Sequence, residues 1–129
     1  MPHRSTIFFI DDDASVRRAL ERVMLSAGLM SAGFASAEEF ISEADLGAGG
    51  CVVADMDMLG MSGLDLQHLL RAAHSDLPLI FLTAKDSDEM RAAASEAGAA
   101  GYFRKPVDAQ ALLDAVQWAL HHPRSPQPA

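Results

Sequence analysis

The chain has 129 residues, half of them hydrophobic and 22% charged, which suits one soluble globular domain whose core is large enough to need no disulfides. Its 18 acidic against 10 basic residues leave a formal charge of -8, which argues against direct contact with nucleic acid or an anionic membrane surface. Met1-Pro2-His3-Arg4-Ser5-Thr6 is followed by only four apolar residues before three aspartates, so the start reads as neither signal peptide nor membrane anchor and points to the cytoplasm.

In chain order, the apolar run Ile7-Phe8-Phe9-Ile10 reads as a first strand and ends in Asp11-Asp12-Asp13. A helix follows, with Val16, Ala19, Leu20, Val23, Met24 and Ala27 on one face and Arg17, Arg18, Glu21 and Arg22 turned to water. Asp13 can cap its start and Gly28 suits its left-handed stop. Met30 to Phe34 is a weaker strand candidate, and Ser36-Ala37-Glu38-Glu39 reads as a capping box opening the second helix. Cys51-Val52-Val53-Ala54 is the third strand and ends in Asp55-Met56-Asp57. Cys51, the chain's one cysteine, reads as a small core residue. Met56, Met58 and Met61 read as adaptable packing.

Ser62 can cap a third helix running from about Leu64 to Ala73. Leu79-Ile80-Phe81-Leu82 forms a fourth strand, followed by Thr83. Asp86-Ser87-Asp88-Glu89 offers a further capping box, for a helix ending at Ala97-Gly98. Gly101 to Phe103 is a short fifth strand, with Lys105-Pro106 just beyond. Asp108 caps a last helix whose stripe is Leu112, Leu113, Val116, Ala119 and Leu120, ending near His121, with Trp118 half-buried off its centre. The domain therefore spans 1–121, and 122–129 is a Pro-rich tail or linker stub.

Strands that are apolar throughout belong in a parallel sheet covered on both faces, and helical crossovers are the connections such a sheet needs. The fold class is α/β, a flavodoxin-like doubly wound sheet of five parallel strands in the order 2-1-3-4-5, with five helices on its two faces. Ligands bind such sheets beyond the carboxyl ends of the strands, where the order reverses between strands one and three. Those are the two strands that end in aspartates. Clustered carboxylates repel one another, so such a group either holds protons or captures a hard cation, with Mg²⁺ the best suited to oxygen ligands. Carboxylates, one hydroxyl (Thr83) and one ammonium (Lys105) at a single rim suit a phosphoryl group, which one aspartate can receive as nucleophile.

Asp11-Asp12, Asp55, Thr83 and Lys105-Pro106, in this order and at these intervals, resemble the signature of the response regulator receiver domain of two-component signalling. The resemblance covers roughly Thr6 to His121. It implies that Asp55 is the phosphoacceptor, that Asp11 and Asp12 hold Mg²⁺, and that Asp57 lends the ion its backbone carbonyl. It further implies that Thr83 and Lys105 bind the phosphoryl oxygens, that Tyr102 is an aromatic switch turning inward as Thr83 moves, and that the Lys105-Pro106 bond is cis. The partners it implies are a sensor histidine kinase and an output domain or downstream protein, engaged through the fourth helix, fifth strand and fifth helix. The chain would then be a phosphoacceptor switch rather than an enzyme.

Two positions depart from the pattern. Leu59 stands where many receivers have proline, and Asp57 occupies a place where the side chain varies and is associated with the lifetime of the acyl phosphate. The low bulk of Arg91-Ala92-Ala93-Ala94-Ser95-Glu96-Ala97 would let another subunit approach closely, giving a homodimer on phosphorylation. An alternative from the enzyme class is a haloacid dehalogenase-type phosphatase, which Asp55-Met56-Asp57 also resembles. Chain order speaks against it, since Asp11-Asp12 precede Asp55 and no cap segment is present. A third alternative is a pseudo-receiver acting only as an interaction module, which the full set of acids, Thr83 and Lys105 disfavours.

Overall fold

A computed structural model describes residues 6–44, 49–58, 60–73 and 75–122. Strands and helices alternate: β1 (Thr6–Ile10), α1 (Ala14–Ser26), β2 (Met30–Phe34), α2 (Ala37–Glu43), β3 (Gly50–Asp55), α3 (Gly63–Ala72), β4 (Leu79–Thr83), α4 (Asp88–Glu96), β5 (Gly101–Arg104) and α5 (Ala109–His121). The strands form one sheet in the order β2-β1-β3-β4-β5, and each pairing is parallel. This is the doubly wound arrangement expected from the sequence.

Successive side chains of β1, β3 and β4 point to opposite faces, so each strand feeds two separate cores. Phe8, Ile10, Val52, Ala54, Leu79 and Phe81 pack with Phe40, Leu66 and Leu70 of α2 and α3. Ile7, Phe9, Cys51, Val53, Ile80 and Leu82 pack with Leu20 and Met24 of α1 and with Leu112, Val116 and Ala119 of α5. Full burial of each such side chain contributes about 1.5–3 kcal/mol, which is why these strands carry unbroken apolar runs. Phe40 meets Phe8 edge-on at 5.3 Å between ring centres and Phe34 at 5.5 Å, anchoring α2 to the sheet.

Helix starts follow side-chain chemistry. Asp13, Ser36, Ser62 and Asp108 each accept a backbone N–H from the first turn of the helix they precede. Ser62 and Asp65 form a reciprocal box. At Ser36 only half of the expected box forms, because Glu39 turns its carboxylate to the Ala35 N–H at 3.4 Å. The box expected at Asp86-Ser87-Asp88-Glu89 is absent: Ser87 caps α4, accepting from Met90 N–H, because Asp86 is engaged elsewhere.

α1 departs from the expected stripe. Leu20 and Met24 are buried, whereas Ala19, about 100° around the helix from Leu20, is exposed. Arg17, expected in water, is half-buried. α5 ends at His121 as expected, and Trp118 is 55% exposed with its indole stacked on His122 at 4.2 Å. Leu59 and the Pro-rich segment 123–129 lie outside the described residues. Among the described residues no helix is long and apolar enough to cross a membrane.

Candidate functional site

Parallel pairing puts the carboxyl ends of the strands on one rim. Asp11 follows β1, Asp55 ends β3, Thr83 ends β4 and Lys105 follows β5, so residues distant in sequence meet beside the β1/β3 junction where the strand order reverses. Backbone bonds continue the strands into the rim: Asp11 N–H to Phe34 carbonyl at 3.1 Å, Met56 N–H to Leu82 carbonyl at 2.9 Å and Lys105 N–H to Thr83 carbonyl at 2.7 Å. The Lys105-Pro106 bond is cis, as expected. Gly63, at the start of α3, passes so close beneath the site that a Cβ there would lie 2.8 Å from the Asp55 carbonyl oxygen.

The Lys105 ammonium bridges two buried carboxylates, donating to Asp11 Oδ2 at 2.7 Å and to Asp55 Oδ2 at 3.0 Å. Asp11, Asp12 and Asp55 each offer an oxygen, all within 4.8 Å of one another. Asp12 is exposed, which leaves the cluster open to solvent on its side. The other Asp55 oxygen accepts the Asp57 N–H at 2.9 Å, and Asp11 Oδ1 accepts the Asp13 N–H at 2.9 Å. Thr83, fully buried, donates its hydroxyl to Asp57 Oδ2 at 3.3 Å and accepts the Lys85 N–H at 3.0 Å.

Burial pushes the Asp55 carboxyl above its ordinary value and the neighbouring Asp11 adds to this, while the Asp57 N–H and Lys105 oppose it. Partial burial works against the Lys105 ammonium, but its hydrogen bonds to Asp11 and Asp55 outweigh that, so its pKa is raised. Among the described residues, Lys105 thus bonds two members of a cluster of three carboxylates. An all-oxygen set of this kind, with two members buried and under-neutralised, fits a small hard cation such as Mg²⁺.

Tyr102 is half-buried on β5, and its hydroxyl donates to Asp86 Oδ1 at 2.9 Å. Arg91 pairs with the other Asp86 oxygen at 2.7 Å and lies 5.6 Å from the centre of the tyrosine ring. Sequence reasoning placed neither Asp86 nor Arg91 at the site, since each resembles an ordinary residue of a helix start. It also missed Arg17, whose guanidinium donates to the Asp11 backbone carbonyl at 2.6 Å. Periodicity alone assigned Arg17 to the wet face of α1, and only the arginine's length lets it fold back to the end of β1.

The family model described as the response regulator receiver domain matches residues 7–117. The chain belongs to that family. The receiver domain is 44% identical over 117 residues to the transcriptional regulatory protein TdiR of Thauera aromatica, covering 90% of this chain and 51% of TdiR. It is 37% identical over 116 residues to the response regulator protein TodT of Pseudomonas putida, with coverage of 90% and 51%. Among solved structures, response regulator StyR superposes with a TM-score of 0.85 at 40% identity, covering 92% of this chain and 60% of that one. This receiver domain spans about half the length of the curated relatives it matches.

Proposed function

We propose that this receiver domain is a phosphorylation-controlled switch, with Asp55 as its phosphoacceptor. The observation that carries this reading is Lys105 Nζ lying 2.7 Å from Asp11 and 3.0 Å from Asp55 at the strand-order reversal. An Asp55 carboxylate oxygen attacks the phosphorus of a phosphohistidine donor on a sensor kinase as the phosphorus–nitrogen bond breaks, and the departing imidazole takes up a proton. Lys105 and Thr83 bind the equatorial oxygens of the group in transfer, so charge is met from two sides. Asp11, Asp12, Asp55 and the Asp57 backbone carbonyl would hold Mg²⁺. When bound, the ion neutralises phosphoryl charge and the surplus of carboxylates.

Once Asp55 is modified, the Thr83 hydroxyl exchanges Asp57 for a phosphoryl oxygen, and the Tyr102 ring leaves Asp86 and turns inward. The face of α4, β5 and α5 then changes its affinity for an output domain or separate protein, in keeping with the regulators that this chain resembles over half their length. α4 presents Ala92, Ser95 and Glu96 outward, and this low-relief surface suits a homodimer formed on phosphorylation. The switch is read as cytoplasmic, comprising 1–121 with 122–129 as a Pro-rich tail or linker stub, and without nucleic-acid or membrane contact of its own. Asp57, two residues past the acceptor, influences the attacking water and so the lifetime of the acyl phosphate.

The test is to incubate the chain with acetyl phosphate and Mg²⁺ and to locate the added phosphoryl mass by peptide mapping. A base-labile adduct on Asp55, lost in Asp55→Asn, is expected. A base-stable label on serine or threonine would overturn the reading.

A further inference from the structure

Asp11 is held at every polar atom. Its N–H binds the Phe34 carbonyl, Oδ1 accepts from the Asp13 N–H and Oδ2 accepts from Lys105. Its carbonyl oxygen accepts from Arg17 Nη1 at 2.6 Å, a charge-assisted and part-buried bond. That carbonyl belongs to the same peptide unit as the Asp12 N–H, so the guanidinium fixes the plane from which the Asp12 side chain departs. The Arg17 stem runs past Gly33 of β2 on its way back to β1. A Cβ on Gly33 would meet Arg17 Cδ at 3.4 Å and Cβ at 3.8 Å. The stem borders a cleft of about 270 Å³ between α1 and β2, lined also by Arg18, Glu21 and Ser31, into which a displaced side chain could swing.

We infer that Arg17 is a positioning residue for the acidic pair: by clamping the Asp11-Asp12 peptide, it aims the Asp12 carboxylate at the cation site. Gly33 borders the same stem, so side-chain atoms beyond a Cβ there would compete for the arginine's path. This inference rests on the Mg²⁺ reading given above. Its sign separates it from plain electrostatics. Arg17 is a cation near a cation site, so deleting its charge alone would tighten Mg²⁺ binding, whereas losing the clamp weakens it.

Calorimetric titration of the full chain with magnesium chloride decides between these. Arg17→Ala is expected to weaken Mg²⁺ about tenfold, the low end of what loss of a residue supporting metal ligands costs. Arg17→Lys is expected to recover part of the loss. Gly33→Val, a β-branched residue suited to an exposed edge strand, should weaken binding in the same direction with every charge retained, and should add little to Arg17→Ala in the double variant. Circular dichroism melts identify any variant that does not fold, and if Arg17→Ala is one, Gly33→Val decides. Unchanged or tighter Mg²⁺ binding in the folded variants overturns the inference. A wild-type chain that takes up no Mg²⁺ overturns the metal reading instead.

Discussion

The Tyr102 hydroxyl donates to Asp86 across 2.9 Å, tying β5 to the loop ahead of α4 while Arg91 grips the same carboxylate. The hydrogen bond from Tyr102, with help from Arg91, lowers the Asp86 pKa from 3.8. A depressed carboxylate contributes its stabilisation above the ordinary value and loses it as pH falls through the depressed one. The tie therefore persists throughout the neutral and mildly acidic range. The Tyr102 phenol is raised above 10.0, first by burial and then by Asp86. Tyr102 is the chain's one tyrosine, so ultraviolet difference titration of the phenol reads it alone. Asp86→Asn should bring its midpoint down part of the way. If the inward ring belongs to the phosphorylated form, the same variant should bind beryllofluoride a few-fold more tightly. An unmoved phenol midpoint would contradict the tie.

Asp55→Asn should melt a few degrees above the wild type at neutral pH in the presence of EDTA. Burial raises the Asp55 pKa, so its contribution to stability is present below 3.8 and is lost as pH rises through the raised value. At neutral pH the ionised group is therefore a load on the fold, which the isosteric amide relieves. Differential scanning calorimetry should show this gain shrink in acid and when Mg²⁺ is added. A variant that melts lower than the wild type in EDTA would count against this account of the site.

Gln67, fully buried on α3, donates to the Ala97 carbonyl at 3.1 Å and the Gly98 carbonyl at 3.4 Å, where α4 ends. Its own Oε1 finds no partner among the described residues. Gln67→Leu should cost about 1–3 kcal/mol, because two carbonyl groups lose their donor. Gln67→Glu should cost more, since a buried carboxylate against carbonyl oxygens must take up a proton to be tolerated. Urea denaturation at neutral and acid pH checks this, with the Glu variant recovering in acid. Equal losses for the two variants would exclude the hydrogen-bonding role.

Cys51 is buried in β3, and burial pushes its thiol up from 9.0 to about 12. The native chain should therefore resist disulfide reagents near pH 8, with labelling no faster than unfolding. Between the two values an unfolded chain ionises while the folded one does not, so stability falls as pH climbs from 9.0 to about 12. Cys51→Ala removes that slope. Rapid labelling of the folded chain would show that the strand opens locally.

The fold was legible because β1, β3 and β4 are buried on both faces and spell this out as unbroken apolar runs. β2 and β5, at the sheet's two edges, are only partly buried and gave weaker signals. The site was legible where chemistry sits at strand ends: the structure brings Asp11, Asp12, Asp55 and Lys105 together, and brings Thr83 to Asp57. Residues that act through reach were not legible. Arg17, Asp86 and Gln67 each serve a partner fixed by tertiary packing, and helical spacing reports only which face a residue leaves from.

The bond from Lys105 to Asp11 joins residues 94 positions apart, and Asp55 lies on a strand between their own. A nascent polypeptide still lacking β5 therefore has Asp11 and Asp55 without the ammonium that bridges them. Under the proposed switch, a copy whose β5 has not yet joined the sheet would lack one of the two groups that meet the phosphoryl charge, and so would respond weakly.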